Sequence, residues 1–131
     1  MNASSRRILV VDDDPDFVLQ MRLPLERAGY QVFTAGGQQE AEKALGENWP
    51  DLAIVDMMME QPDAGLALIQ HIRQRRPQTP VIMVTGVPVE TRAQLERATP
   101  ELWASVKPDV WLEKPVRFEQ LQAEVRRLLR E

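Results

Sequence analysis

The chain has 131 residues, 44% hydrophobic and 27% charged, an ordinary globular balance that fits one domain with a core of its own. Twenty acidic against sixteen basic residues give a net charge of −4, which argues against direct nucleic-acid binding, and the lack of cysteine excludes disulfides, thiolate metal sites and cysteine nucleophiles. The polar start Met1-Asn2-Ala3-Ser4-Ser5-Arg6-Arg7 has no secretory apolar segment and no apolar run is long enough to span a bilayer, so a cytoplasmic protein without membrane insertion is expected.

In chain order, Ile8 to Val11 reads as a first strand and stops at three aspartates. Phe17, Met21, Leu25 and Ala28 then recur at four- and three-residue steps, one face of a helix ending at Gly29. Pro24 should kink that helix or weaken its middle, because proline withholds a backbone donor. Gln31 to Ala35 reads as a second strand, and Gln38 to Glu47 as a polar, alanine-containing helix before Asn48-Trp49-Pro50. Leu52 to Val55 is a third strand ending at Asp56, and Gly65 to Arg75 carries Leu66, Ile69 and Ile72 on one helical face. Val81 to Val84 is a fourth strand ending at Thr85-Gly86. A long segment from Pro88 to Pro108 precedes a fifth strand, Asp109 to Leu112. An amphipathic helix through Phe118, Leu121, Val125 and Leu128 closes the chain. The arginines at 73, 75, 76, 126, 127 and 130 read as solvated helix faces.

Five strands alternating with five helical stretches predict an α/β fold, a parallel sheet covered by helices on both faces. A single domain over 1–131 is expected, with its core from about 7 to 130. Such sheets bind ligands beyond the carboxyl ends of their strands. The residues found there are Asp12-Asp13-Asp14, Asp56, Thr85 and Glu113-Lys114-Pro115. Each has an ordinary explanation: Asp14 before Pro15 suits a helix N-cap, Asp12 and Asp13 a strand end, Thr85 a turn, Lys114 the surface. Together they suggest chemistry. Carboxylates held close repel, and a divalent cation with oxygen ligands offsets that, Mg²⁺ best and Mn²⁺ as the alternative. A carboxylate so placed can attack phosphorus, with Lys114 and Thr85 holding the phosphoryl oxygens.

The pattern Ile8-Leu9-Val10-Val11-Asp12-Asp13, strand-end Asp56, Thr85-Gly86 and Lys114-Pro115 resembles the receiver domains of two-component response regulators, from about Ile8 to Leu129. The resemblance implies the doubly wound five-stranded sheet in the order 2-1-3-4-5. It implies Asp56 as phosphoacceptor, with Asp13 as a direct metal ligand beside it. Asp12 would hold metal-bound water, and the Met58 carbonyl would complete the ligand set. Thr85 would be the switch hydroxyl, with Gly86 beside it, and Lys114 the phosphoryl-binding cation. The Lys114-Pro115 bond would be cis. Trp111 falls where receivers carry a rotating aromatic, usually tyrosine or phenylalanine; a fixed packing role for this indole is equally open.

Three features depart from the family. Glu60 stands where receivers usually have proline, and Gly65 comes about one residue late. Met57, Met58 and Met59 flank the phosphoacceptor; with Val87, Met58 would restrict hydrolytic water and slow loss of the phosphoryl group. Thr85 and Lys114 are 29 residues apart, several more than usual, the excess lying within 99–108. Trp103 in that insertion reads as a cover for the domain's own core rather than a partner's anchor. His71 reads as a surface residue, and no Ser-His-Asp set, phosphate-cradling glycine loop or nucleotide fingerprint is present.

The expected function is a phosphoacceptor switch, not an enzyme toward other molecules. A histidine kinase or phosphotransfer protein would donate. The face built from the fourth helical stretch, the fifth strand and the last helix would engage an unknown downstream protein or a second copy. Alternatives are a pseudo-receiver that only docks and a Mg²⁺-dependent phosphatase with an aspartyl nucleophile. No output domain is visible, so partner binding, phosphoryl relay and a fragment of a longer regulator all stay open.

Overall fold

Strand side chains alternate between the two faces of a sheet, so a strand covered on both sides must be apolar throughout. β3 (Leu52–Asp56) and β4 (Val81–Thr85) are buried at every position, and β1 (Arg7–Val11) at all but its first. The computed structural model describes residues 6–57, 59 and 64–131. With β2 (Gln31–Ala35) and β5 (Val110–Glu113) these strands form one parallel sheet in the order β2-β1-β3-β4-β5. That is the expected order.

Alternation divides the core in two. Leu9, Val11, Val55 and Met83 face α2 (Gln38–Glu47), α3 (Ala64–Arg75) and α5 (Pro100–Val106). Ile8, Val10, Ile54, Ile82 and Val84 face α1 (Pro15–Arg27) and α6 (Phe118–Leu129). Asp14 caps α1, its side chain accepting from the Asp16 amide at 3.0 Å. The helix runs on past Pro24, whose carbonyl accepts from the Ala28 amide, so proline does not break it. It stops at Gly29, whose φ of 102° lets the amides of Gly29 and Tyr30 turn back to the carbonyls of Glu26 and Leu25.

The segment from Pro88 to Pro108 holds two helices, making six among the described residues where five helical stretches are expected. Pro100 lacks the amide needed to continue α4 (Val89–Ala98), and it drives Thr99 out of helical geometry, to φ −136° and ψ 64°. α5 then starts afresh and sends Trp103 and Val106 into the core against α3, while α4 buries none of its residues. Trp103 thus covers the domain's own core, as expected.

Arg73 corrects the reading of its cluster as a solvated face. Its guanidinium donates to the carbonyls of Pro77, Thr79, Val106 and Lys107 and pairs with Asp109 at 3.0 Å. Asp109 Oδ2 also accepts from the Val81 amide at 2.7 Å. Arg73 thereby pins the end of α5, where Lys107 sits at φ 36°, to the starts of β4 and β5. Truncating it leaves several half-buried carbonyls without their donor. Arg73→Ala is expected to lower the unfolding free energy by about 2–3 kcal/mol, read by urea denaturation.

The phenol of Tyr30, in the core beside Leu25, donates to Glu131 Oε1 at 2.7 Å. Burial first, then this bond and the Glu131 charge, push Tyr30 from 10.0 up to about 12. A phenol raised on folding stabilises the fold while protonated, fully below its unfolded pKa and not at all once pH passes the folded one. Wild-type unfolding free energy should therefore fall between pH 10 and 12 by more than that of Tyr30→Phe.

Candidate functional site

Parallel strands deliver all their carboxyl ends to one edge of the sheet, and the polar residues gather there. The backbone of Asp12 is held to β2 by the hydrogen bond that its amide donates to the Ala35 carbonyl. Its side chain is buried; Oδ1 accepts from the Asp14 amide at 2.9 Å and Oδ2 from Lys114 Nζ at 2.9 Å. Asp56, the last residue of β3, is also buried, with Oδ2 3.6 Å from the same ammonium. Asp13 is exposed beside them. Carboxylate oxygens of Asp12, Asp13 and Asp56 lie within 4.8 Å of one another. This all-oxygen donor set fits a hard divalent cation.

Lys114 extends from the loop after β5, its amide bonded to the Thr85 carbonyl at 2.8 Å, and the Lys114-Pro115 bond is cis. Burial alone pulls the ammonium down, but the hydrogen bond to Asp12 and the charges of Asp56, Asp12 and Asp14 outweigh it. The net shift is above the ordinary lysine value. The Thr85 hydroxyl is buried and accepts from the Val87 amide at 2.9 Å. Gly86 next to it is exposed, and a Cβ there would meet open space. Asp14 caps α1 and stands apart from the carboxylate cluster.

The loop after Asp56 is tight. A Cβ on Gly65 would drive into the backbone carbonyls of Asp56 and Met57, so the second residue of α3 must be glycine for the helix to start this close to the phosphoacceptor candidate. The Met57 amide bonds to the Val84 carbonyl and the Gly65 amide to the Met57 carbonyl. Met58, the candidate carbonyl ligand, and Glu60 lie outside the described residues.

Trp111 is half-buried, its ring 5.2 Å from that of Trp103 and capped by the Arg92 guanidinium at 4.5 Å. His71, expected at the surface, is half-buried between α3 and α2, with Glu42 at 3.8 Å and Arg75 at 3.0 Å, away from the strand ends. The sequence reading missed two site neighbours: Arg92, and Phe17, whose ring lies 4.4 Å from Lys114 Nζ. Periodicity marks Phe17 as core, but gives no sign of a cation on its other side.

The chain matches the family profile for the response regulator receiver domain over residues 8–126. It belongs to that family. Receivers are the signalling modules of two-component systems, and the carboxylate cluster sits where they hold their metal. The alkaline phosphatase synthesis transcriptional regulatory protein PhoP of Bacillus subtilis is 32% identical over 96% of this chain and 49% of its own length. A receiver domain protein (CheY-like) from Methanospirillum hungatei superposes with a TM-score of 0.79 at 28% identity, covering 95% of this chain and 94% of that one. The response regulator TrrA of Thermotoga maritima, in complex with Mg(2+)-BeF, gives a TM-score of 0.77 at 28% identity over 94% and 98%. The chain spans about half the length of the first curated relative. That relative is a transcriptional regulator by name, so the expected lack of direct nucleic-acid contact gains no support from it. Among the described residues no helix is long and apolar enough to cross a membrane.

Gly65 allows a stability test with an internal control. In an open helix, alanine for glycine gains up to about 1 kcal/mol, as expected for Gly46→Ala, where a Cβ meets nothing within 4 Å. At Gly65 the backbone clash outweighs that gain, and Gly65→Ala should lose about 1–3 kcal/mol in urea unfolding.

Proposed function

We propose that this receiver accepts a phosphoryl group on Asp56 in a Mg²⁺-dependent reaction, from a histidine kinase or phosphotransfer protein. The observation that carries the reading is the convergence of the Asp12 and Asp13 carboxylates on Asp56, with the Lys114 ammonium 3.6 Å from Asp56 Oδ2. Asp13 and Asp56 would ligate the ion directly and Asp12 would hold its water, with Met58 as the remaining candidate; Mn²⁺ suits the same oxygens. When bound, the ion supplies positive charge that offsets the carboxylate repulsion and screens the phosphoryl oxygens. That the Thermotoga relative was captured in complex with Mg(2+)-BeF supports Mg²⁺ as the ion.

An Asp56 carboxylate oxygen forms the new bond to phosphorus as the donor's phosphorus–nitrogen bond breaks. Lys114 Nζ, already 3.6 Å from Asp56, turns from Asp12 to the phosphoryl oxygens. The Thr85 hydroxyl leaves the Val87 amide to donate to the same group. An open groove beside Asp13, walled by Val18, Leu19 and Arg22 of α1 and Thr34 and Ala35 of β2, gives the donor its approach. Trp111, between Arg92 of α4 and Trp103 of α5, would pass the change to the surface of α4, β5 and α6, where a downstream protein or a second copy binds. We place the domain in the cytoplasm, where its donors act. The phosphatase alternative is disfavoured because Asp14, the second carboxylate of an Asp-x-Asp pair, is committed to capping α1.

With a small-molecule phosphodonor, intact-mass measurement should show one phosphoryl adduct in wild type with Mg²⁺. None should form without the ion or in Asp56→Asn. A folded wild type that forms no adduct would leave the docking-only reading in its place.

A further inference from the structure

We propose that Phe17 is a positioning residue for Lys114: the face of its ring holds the ammonium in the site while the carboxylates that now bind it are taken up by the metal. The inference rests on the reading of Asp56 as phosphoacceptor. Lys114 Nζ lies 4.4 Å from the Phe17 centroid, well within the roughly 6 Å over which a ring quadrupole attracts a cation. Its other described partners are Asp12 at 2.9 Å and Asp56 at 3.6 Å. Both belong to the cluster that fits a divalent cation, so a bound ion competes with the ammonium for their oxygens. The ring does not enter that competition.

A lysine is a strongly hydrated point charge on a flexible four-carbon stem, and this one is about a quarter exposed. Released from Asp12, it would swing into water unless something on the protein side retains it. A quadrupole suits that task because its attraction is broad in direction, letting Nζ move from Asp12 toward a phosphoryl oxygen without leaving the ring.

The ring is set by the same loop that carries the acidic pair. The Asp14 amide donates to Asp12 and the Asp16 amide to Asp14, so the first turn of α1 is tied to the site one residue before Phe17. Filling the core does not require an aromatic here. Met21 and Leu25 continue the same buried face of α1 without one.

The test compares Phe17→Leu, Phe17→Tyr and phenylalanines of increasing ring fluorination at position 17. In the metal-free protein, the ring current should shift the Lys114 ε-methylene proton signals upfield in wild type and Phe17→Tyr but not in Phe17→Leu. With Mg²⁺ and a small phosphodonor, Phe17→Leu should form the adduct about three- to tenfold more slowly, Phe17→Tyr should match wild type, and the fluorinated series should slow in order of lost ring charge. A merely structural ring would not follow that order. If Phe17→Leu does not fold, the nearly isosteric fluorinated series decides alone. Wild-type adduct formation with rates indifferent to fluorination overturns the role of Phe17 only. No adduct in folded wild type overturns the phosphoacceptor reading and this inference with it.

Discussion

Lys114 joins the ends of three strands, two of which carry carboxylates that would otherwise push apart. Its ammonium reaches Asp12 beyond β1 and Asp56 at the end of β3, while its backbone amide is bonded to Thr85 at the end of β4. Like charges about 4 Å apart near a protein surface repel by about 4 kcal/mol before solvation and counterions are considered. Three carboxylate groups gathered within 4.8 Å are therefore unfavourable without a cation among them. Two strand spacings, about 10 Å, separate β5 from β3 in this sheet order. Only a long side chain leaving from a loop that bends over β4 can bridge them, and the bond from the Lys114 amide to Thr85 fixes where that loop crosses.

The same geometry favours a bound cation. One ammonium cannot satisfy three carboxylates, two of which are buried. The residual negative charge is concentrated at the exposed Asp13, on the open side of the edge. On the proposed reading a small hard cation would relieve it, and a phosphoryl group on Asp56 would meet positive charge from the ion and from Lys114.

Much of this was legible in the sequence, for a physical reason. Strands buried on both faces are continuous apolar runs, so Ile8 to Val11 and Val81 to Val84 announce both the sheet and the edge where Asp12 and Thr85 sit. What periodicity could not show were contacts between distant segments. Arg73 looks solvated because its acceptors at Val106 and Lys107 lie more than thirty residues away. α5 is seven residues long and shows only Trp103 and Val106 as a buried pair, too little pattern to separate it from the helix before it. That position 65 requires glycine was not legible, because the tightness of its approach to Asp56 depends on how α3 docks, which no local motif encodes.

The inserted helix also changes the balance between stability and motion. α5 fills the space against α3 with Trp103 and Val106, and Arg73 locks its far end, so this part of the face is firmly held. α4 is left with no buried residue, and Val89 and Leu95 are exposed. A helix that buries no side chain loses little by local opening, and such elements occupy the low-stability end of a fold. Its described aromatic tie is Arg92 over Trp111, worth about 1 kcal/mol at a partly exposed position. Trp111 in turn packs at a 37° tilt against Trp103, whose indole Nε1 is buried without a hydrogen-bond partner among the described residues. Breaking the Arg92 contact therefore costs little, and α4, with no buried residue, is the least firmly held helix of this face.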